Sequence, residues 1–130
     1  MLAMAAARLG MQTHVFEPAG DPPAAQVANA VTRAAYDDSA ALTAFAASVD
    51  VVTYEFENVP LAAVDILAPL VPIRPGRRAL EVSQDRGTEK SFLTGIGLRT
   101  APWAPVDSAE DLAAALATLG TPAILKTRRL

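Results

Sequence analysis

Apolar residues in this chain recur in short blocks whose spacing switches between that of helices and that of strands. In "LAMAAARLG", Leu2, Ala5, Ala6 and Leu9 share one helical face and Gly10 stands where a helix stops, although nothing caps the start. "THVFEP" follows as a short strand ended by Pro18, residues 20 to 23 read as loop, and "NAVTRAAY" carries a weaker strand signal. Asp37, Asp38 and Ser39 offer capping oxygens to a helix over Ala40 to Ala47, with Leu42 and Phe45 on one side. "VDVVTYEFENVP" opens on Val49, Val51 and Val52, the β-branched run expected of a strand covered on both faces. Pro60 then starts a helix over Leu61 to Leu67, and "LVPI" predicts one more short strand.

This alternation predicts an α/β, Rossmann-like parallel sheet with helices on both faces. From Pro75 to about Gly95 the pattern turns helical and charged, and "GIGLRTAPWAPV" is a Gly- and Pro-punctuated connection. A domain boundary is expected near Gly97, so that residues 1–97 form one domain and 98–130 begin a second. In the second, "DSAEDLAAALATLG" is a helix capped by Asp107 or Ser108 and ended by Gly120. "PAILK" reads as a buried strand with Lys126 at its carboxyl end. Ligands of α/β proteins bind at the carboxyl ends of strands, and a lysine there commonly meets a phosphate.

Composition narrows the field. The 130 residues are 52% hydrophobic and 19% charged, enough apolar material for a packed core. A net charge of −3 with mixed signs argues against a nucleic-acid partner. The absence of cysteine excludes disulfides, thiolate metal sites and cysteine nucleophiles, and it fits a cytoplasmic location. Arg8 interrupts the apolar start and no basic stretch precedes it, which argues against a signal peptide. No apolar run reaches the ~18 to 20 residues of a membrane span. His14, the single histidine, alternates with apolar neighbours and reads as a half-buried, hydrogen-bonded side chain. No metal-ligand cluster stands out: there is one histidine, no cysteine, and no pair of acids at ligand spacing outside "EFEN".

Three stretches could carry chemistry. In "TYEFENVP", Glu55, Glu57 and Asn58 crowd the carboxyl end of an expected strand. One carboxylate there could simply cap the following helix, or the group could bind amines and hydroxyls of a small polar ligand. "SQDRGTEK" places Asp85, Arg86, Glu89 and Lys90 at helical spacing. That pattern fits a solvated charged face in which Glu89 pairs with Arg86, or an Arg86 that grips a phosphate with its planar fork. Glu17 ends the strand "HVFE" where a dinucleotide-binding fold puts its ribose-binding acid, but an ordinary surface acid fits as well.

Taken in order, "AAARLG", "FEPAGDPPAAQVA", "YDDSAAL", "DVVTYEFENVP", "QDRGTEKSFLTGIGLRTAPW" and "PAILKTRRL" resemble the 5-(carboxyamino)imidazole ribonucleotide synthases, ATP-grasp ligases of purine biosynthesis. The resemblance spans essentially the whole chain. It implies a pre-ATP-grasp Rossmann-like domain followed by the start of an ATP-grasp domain. The implied activity is ATP-dependent carboxylation of 5-aminoimidazole ribonucleotide by bicarbonate through carboxyphosphate, with magnesium, in a cytoplasmic homodimer. A formate-using glycinamide ribonucleotide transformylase of the same architecture matches "TYEFENVP" less well. A non-catalytic α/β nucleotide-binding module is a further alternative.

The same resemblance places Arg86 and Lys126 on ATP-contacting positions and turns Glu55, Glu57 and Asn58 towards the substrate cleft. Gly87 departs from the larger apolar residue usual after "QDR", at a helix-propensity cost of about 1 kcal/mol. In the family a strand and a "GxGQLGRM" turn precede the first helix, and "GYDGKGQ" follows "KTRRL". The expectation is therefore a fragment, poorly stable and inactive alone, whose magnesium ligands lie elsewhere in the enzyme.

Overall fold

A computed structural model describes residues 1–129; Leu130, the last residue of the expected second domain, lies outside the described residues. The chain forms two compact units, Met1–Leu80 and Glu81–Leu130. Their division falls ahead of the boundary expected near Gly97.

In the first unit, helix α1 (Leu2–Arg8) runs into strand β1 (His14–Phe16), a 3-10 turn (Pro23–Gln26) and strand β2 (Ala30–Thr32). Gly10, at φ 76°, turns the chain out of α1 in a region that suits glycine. The face expected to be buried is not: Leu2 and Leu9 are exposed, and Ala3 is the buried residue of α1. β1 and β2 pair in parallel, with His14 opposite Ala30 and Phe16 opposite Thr32. Helix α2 (Ser39–Ala46) begins where Asp38 Oδ1 accepts the Ala41 N–H at 2.9 Å, one of the capping choices read from the sequence. Helix α3 (Leu61–Leu67) has its expected bounds, and helix α4 (Arg77–Ser83) follows.

The expected sheet is much smaller than its sequence signal. The runs "VDVVTY" and "LVPI" meet only at one isolated parallel bridge, Val52 to Ile73, held by Val52 N–H to Pro72 O and Arg74 N–H to Val52 O, both 2.9 Å. Val52 is buried but Val51 is 54% exposed, so this segment is covered on one side only. A ladder extends only where both partners stay extended, and here the chain bends into a turn at Glu57 and Asn58. The described structure is thus mostly helical with a small two-stranded parallel sheet.

The core of this unit gathers Leu42, Phe45 and Ala46 from α2, Ala63, Val64 and Leu67 from α3, and Val52, Val71, Ile73 and Leu80. Phe45 also receives the edges of His14 and Phe16, at centroid distances of 4.9 and 5.4 Å. His14 is half-buried with both ring nitrogens engaged, Nδ1 2.9 Å from Ser48 Oγ and Nε2 2.8 Å from Thr32 Oγ1. That is the structural role its alternating pattern suggested.

The helical stretch after Pro75 proves to be two elements, because Asp85 adopts extended backbone and starts helix α5 (Arg86–Gly95) anew in the second unit. Helix α6 (Ala109–Leu119) is capped by Ser108, whose Oγ accepts the Asp111 N–H at 3.0 Å, and it ends at Gly120 with φ 80°. Residues 122 to 125 do not form the buried strand expected of "PAILK". Ile124 is 83% exposed and Leu125 65% exposed, and no strand lies beside them among the described residues. Without a neighbouring ladder, Ile124 and Leu125 have no strand to supply ladder hydrogen bonds and no sheet face to cover.

Candidate functional site

Arg86 opens α5, and the backbone of residues 127 and 128, which follow Lys126, is hydrogen-bonded to it. Asp85 caps that helix: its Oδ1 accepts the Thr88 N–H at 2.9 Å. The first residue, Arg86, donates its backbone N–H to Arg128 O and its side-chain Nε to Thr127 O, both at 3.1 Å. The segment adjoining Lys126 is therefore laid against the first turn of α5. Arg86 turns to this segment and not to Glu89. It uses only Nε, so the two terminal guanidinium nitrogens keep four N–H donors without a partner among the described residues. Lys126, one residue before Thr127, is exposed.

Asp85 is not on the solvated charged face its sequence context suggested; it is buried. Its second oxygen lies 3.3 Å from Arg128 Nε, and Arg128 Nη1 lies 3.8 Å from Asp107 Oδ1. The Thr88 N–H, with help from Arg128, holds the Asp85 carboxyl below the ordinary carboxylate range against the opposing effect of burial. A folded-state pKa below the unfolded one stabilises the fold above about pH 4 and loses that contribution as the pH falls through the depressed value. In denaturation series from pH 6 to pH 2, Asp85→Asn should accordingly be less stable than the parent above pH 5, with the gap closing in acid. A gap that widens in acid would contradict the assignment.

Two motif ends read separately in the sequence also meet here. Lys90 Nζ donates to Ala101 O at 3.1 Å, which ties "QDRGTEK" to "TAPW". A Cβ on Gly87 would lie 3.2 Å from Asp85 Oδ1 and 3.6 Å from Trp103 Cζ3. Glycine at this position lets the capping carboxylate and the indole close on the helix start, which offsets its low helix propensity. Neither Arg128 as partner of Asp85 nor Trp103 as neighbour of Gly87 had a signal in spacing, since each contact spans more than 15 residues.

Glu55, Glu57 and Asn58 belong to the first unit. Neither glutamate caps α3, whose N-cap is Pro60 with no side-chain hydrogen bond. Glu55 is exposed and Glu57 and Asn58 are half-buried in a turn. The Tyr54 hydroxyl before them lies 2.8 Å from Pro75 O and 3.0 Å from Gly76 O, anchoring the turn to the chain ahead of α4. Burial raises the Tyr54 pKa, against a smaller lowering by the Leu80 backbone hydrogen bond. Glu17 Oε1 accepts the Ala19 N–H at 3.1 Å, and its carboxylate also bonds Tyr36, whose pKa is raised by burial and then by Glu17. Its place is explained by local structure.

Residues 1–84 match the model of the ribonucleotide synthetase preATP-grasp domain. This chain belongs to that family. Beyond the pre-ATP-grasp match, the chain is 58% identical over 130 residues to the N5-carboxyaminoimidazole ribonucleotide synthase of Brucella melitensis, covering all of this chain and 36% of that protein. It superposes on the crystal structure of the N5-carboxyaminoimidazole ribonucleotide synthetase of Thermus thermophilus with a TM-score of 0.85 at 44% identity, over 99% of this chain and 36% of that one. The Aspergillus clavatus synthase in complex with ADP and 5-aminoimidazole ribonucleotide gives a TM-score of 0.76 at 28% identity, over 94% and 33%. The chain spans about a third of the length of these relatives. Among its described residues no helix is long and apolar enough to cross a membrane, and no group of three or more His, Asp or Glu could hold a metal ion.

Proposed function

We propose that this chain supplies the N-terminal part of an ATP-dependent carbon–nitrogen ligase. The ligase carboxylates 5-aminoimidazole ribonucleotide with bicarbonate, yielding 5-(carboxyamino)imidazole ribonucleotide, ADP and phosphate in cytoplasmic purine biosynthesis. The observation that carries this reading is 58% identity to the Brucella melitensis synthase along the full 130 residues. Its support in the geometry is the start of α5, where Arg86 keeps donors without a partner among the described residues next to the segment bearing the exposed Lys126.

In this reading Arg86 and Lys126 bind the nucleotide phosphates and offset the charge that develops as the γ-phosphoryl group passes to a bicarbonate oxygen. Arg86 suits a bidentate grip and Lys126 acts as a point charge. Glu55, Glu57 and Asn58 form a polar edge for the ribonucleotide. The small parallel sheet is then part of a larger Rossmann-like sheet covered on both faces, and the functional boundary between the pre-ATP-grasp and ATP-grasp parts falls near Gly97. The proposal includes a homodimer. Magnesium would neutralise phosphate charge when bound, but the described residues offer it no ligand set, and the roles assigned here do not depend on it.

The test exchanges this chain for the 130 residues it matches in the Brucella melitensis synthase. The chimera is expected to release ADP only when bicarbonate and 5-aminoimidazole ribonucleotide are both present. A folded chimera that releases ADP with formate and glycinamide ribonucleotide instead, or with neither pair, would overturn the assignment.

A further inference from the structure

Asp85 is the one charged residue buried among the described residues. A helix cap alone does not require that, since Asp38 and Ser108 cap α2 and α6 while exposed. What distinguishes Asp85 is its second oxygen, which faces the Arg128 guanidinium at 3.3 Å. Arg128 belongs to the segment whose two carbonyls, Thr127 O and Arg128 O, accept from Arg86. Upstream of that tie, Ile124 and Leu125 are exposed and form no ladder. The contacts at residues 127 and 128 are therefore what anchors the backbone next to Lys126 in the described structure.

We propose that Asp85 is a positioning residue for the Lys126 ammonium, acting through Arg128 to fix this segment against the start of α5. The role rests on the reading of Lys126 as a phosphate contact. A cation on an untethered segment loses conformational freedom when it engages a ligand, whereas a tethered one has lost most of it already. The pair thus acts on nucleotide affinity, and Asp107, 3.8 Å from Arg128, adds a weaker second anchor.

Asp85→Asn separates this role from capping, because asparagine caps a helix as well as aspartate but carries no charge for Arg128. In the chimeric synthase, Asp85→Asn and Arg128→Met are each expected to raise the KM for ATP about two- to fivefold, the range for a partly exposed ion pair. The kcat and the KM for 5-aminoimidazole ribonucleotide should stay unchanged. Arg128→Lys should recover part of the loss, and the double variant should be no worse than either single one, since both break one contact. Hydrogen exchange on the same chimeric synthase gives a second measurement. The Arg86 amide, which donates to Arg128 O, should exchange faster by a similar factor in Asp85→Asn, while the Thr88 amide stays protected by the retained cap.

Unchanged Arg86 exchange in both variants, or effects on KM that simply add, would overturn the tie itself. Faster Arg86 exchange together with a Lys126→Met variant of normal ATP dependence would instead overturn the nucleotide reading and reduce Asp85 to a fold element.

Discussion

Lys126→Met, made in the chimeric synthase, is expected to lower kcat/KM for ATP by roughly 10- to 150-fold while leaving the protein folded. The estimate follows from losing one charge-assisted contact, about 1.5 to 3 kcal/mol. Methionine keeps the length and apolar character of the stem, and Lys126 is exposed, so the fold has little to lose. Arg86→Met should act on the same ligand and also release Thr127 O, so its effect and that of Lys126→Met need not add. Steady-state kinetics with ATP varied at saturating bicarbonate and 5-aminoimidazole ribonucleotide decides the matter. A change within threefold for Lys126→Met, the ±0.5 kcal/mol scale of ordinary surface substitutions, would make it a solvated residue and remove it from the site.

Leu80→Ala is expected to cost the first compact unit about 2 to 5 kcal/mol. Leu80 has 0% exposure and sits in α4 where it closes the cluster built from α2, α3, Val52 and Ile73. Removing three carbons there leaves a cavity among residues held by two helices and a β-bridge, which collapse only in part. Whole domains are stable by only ~5 to 15 kcal/mol, so the variant should show a much lower denaturant midpoint or no folded baseline. Leu70→Ala, at a position 51% exposed, serves as the control and should shift far less. Equal shifts for the two would show that Leu80 is not part of a close-packed core.

How much of this was legible in advance depended on the range of the interaction. Helices α2 and α6 were readable because their caps lie within three residues of their partners, Asp38 with Ala41 and Ser108 with Asp111, and α3 because Pro60 stands directly before it. The same local reasoning overreached at "VDVVTY", "LVPI" and "PAILK". β-branched composition describes a residue's fitness for a strand, while the strand itself exists only where another chain segment supplies its hydrogen bonds. It also merged α4 and α5, since Asp85 could be read as a helical charge until its burial and cap geometry were known.

The candidate site divides in the same way. By itself the sequence determined which residue types stand ready: Arg86 and Lys126 as cations suited to a phosphate, and the "EFEN" acids as acceptors for amines or hydroxyls, with the resemblance alone joining them into one expected site. Only the tertiary structure decided that Arg86 reaches across 41 residues to Thr127 O, that Arg128 finds Asp85, and that Trp103 lies over Gly87. Helical periodicity and capping are properties of consecutive residues, so they are written in the order of the chain. An ion pair or a backbone tether between distant segments depends on where folding brings those segments, and no local spacing encodes that meeting.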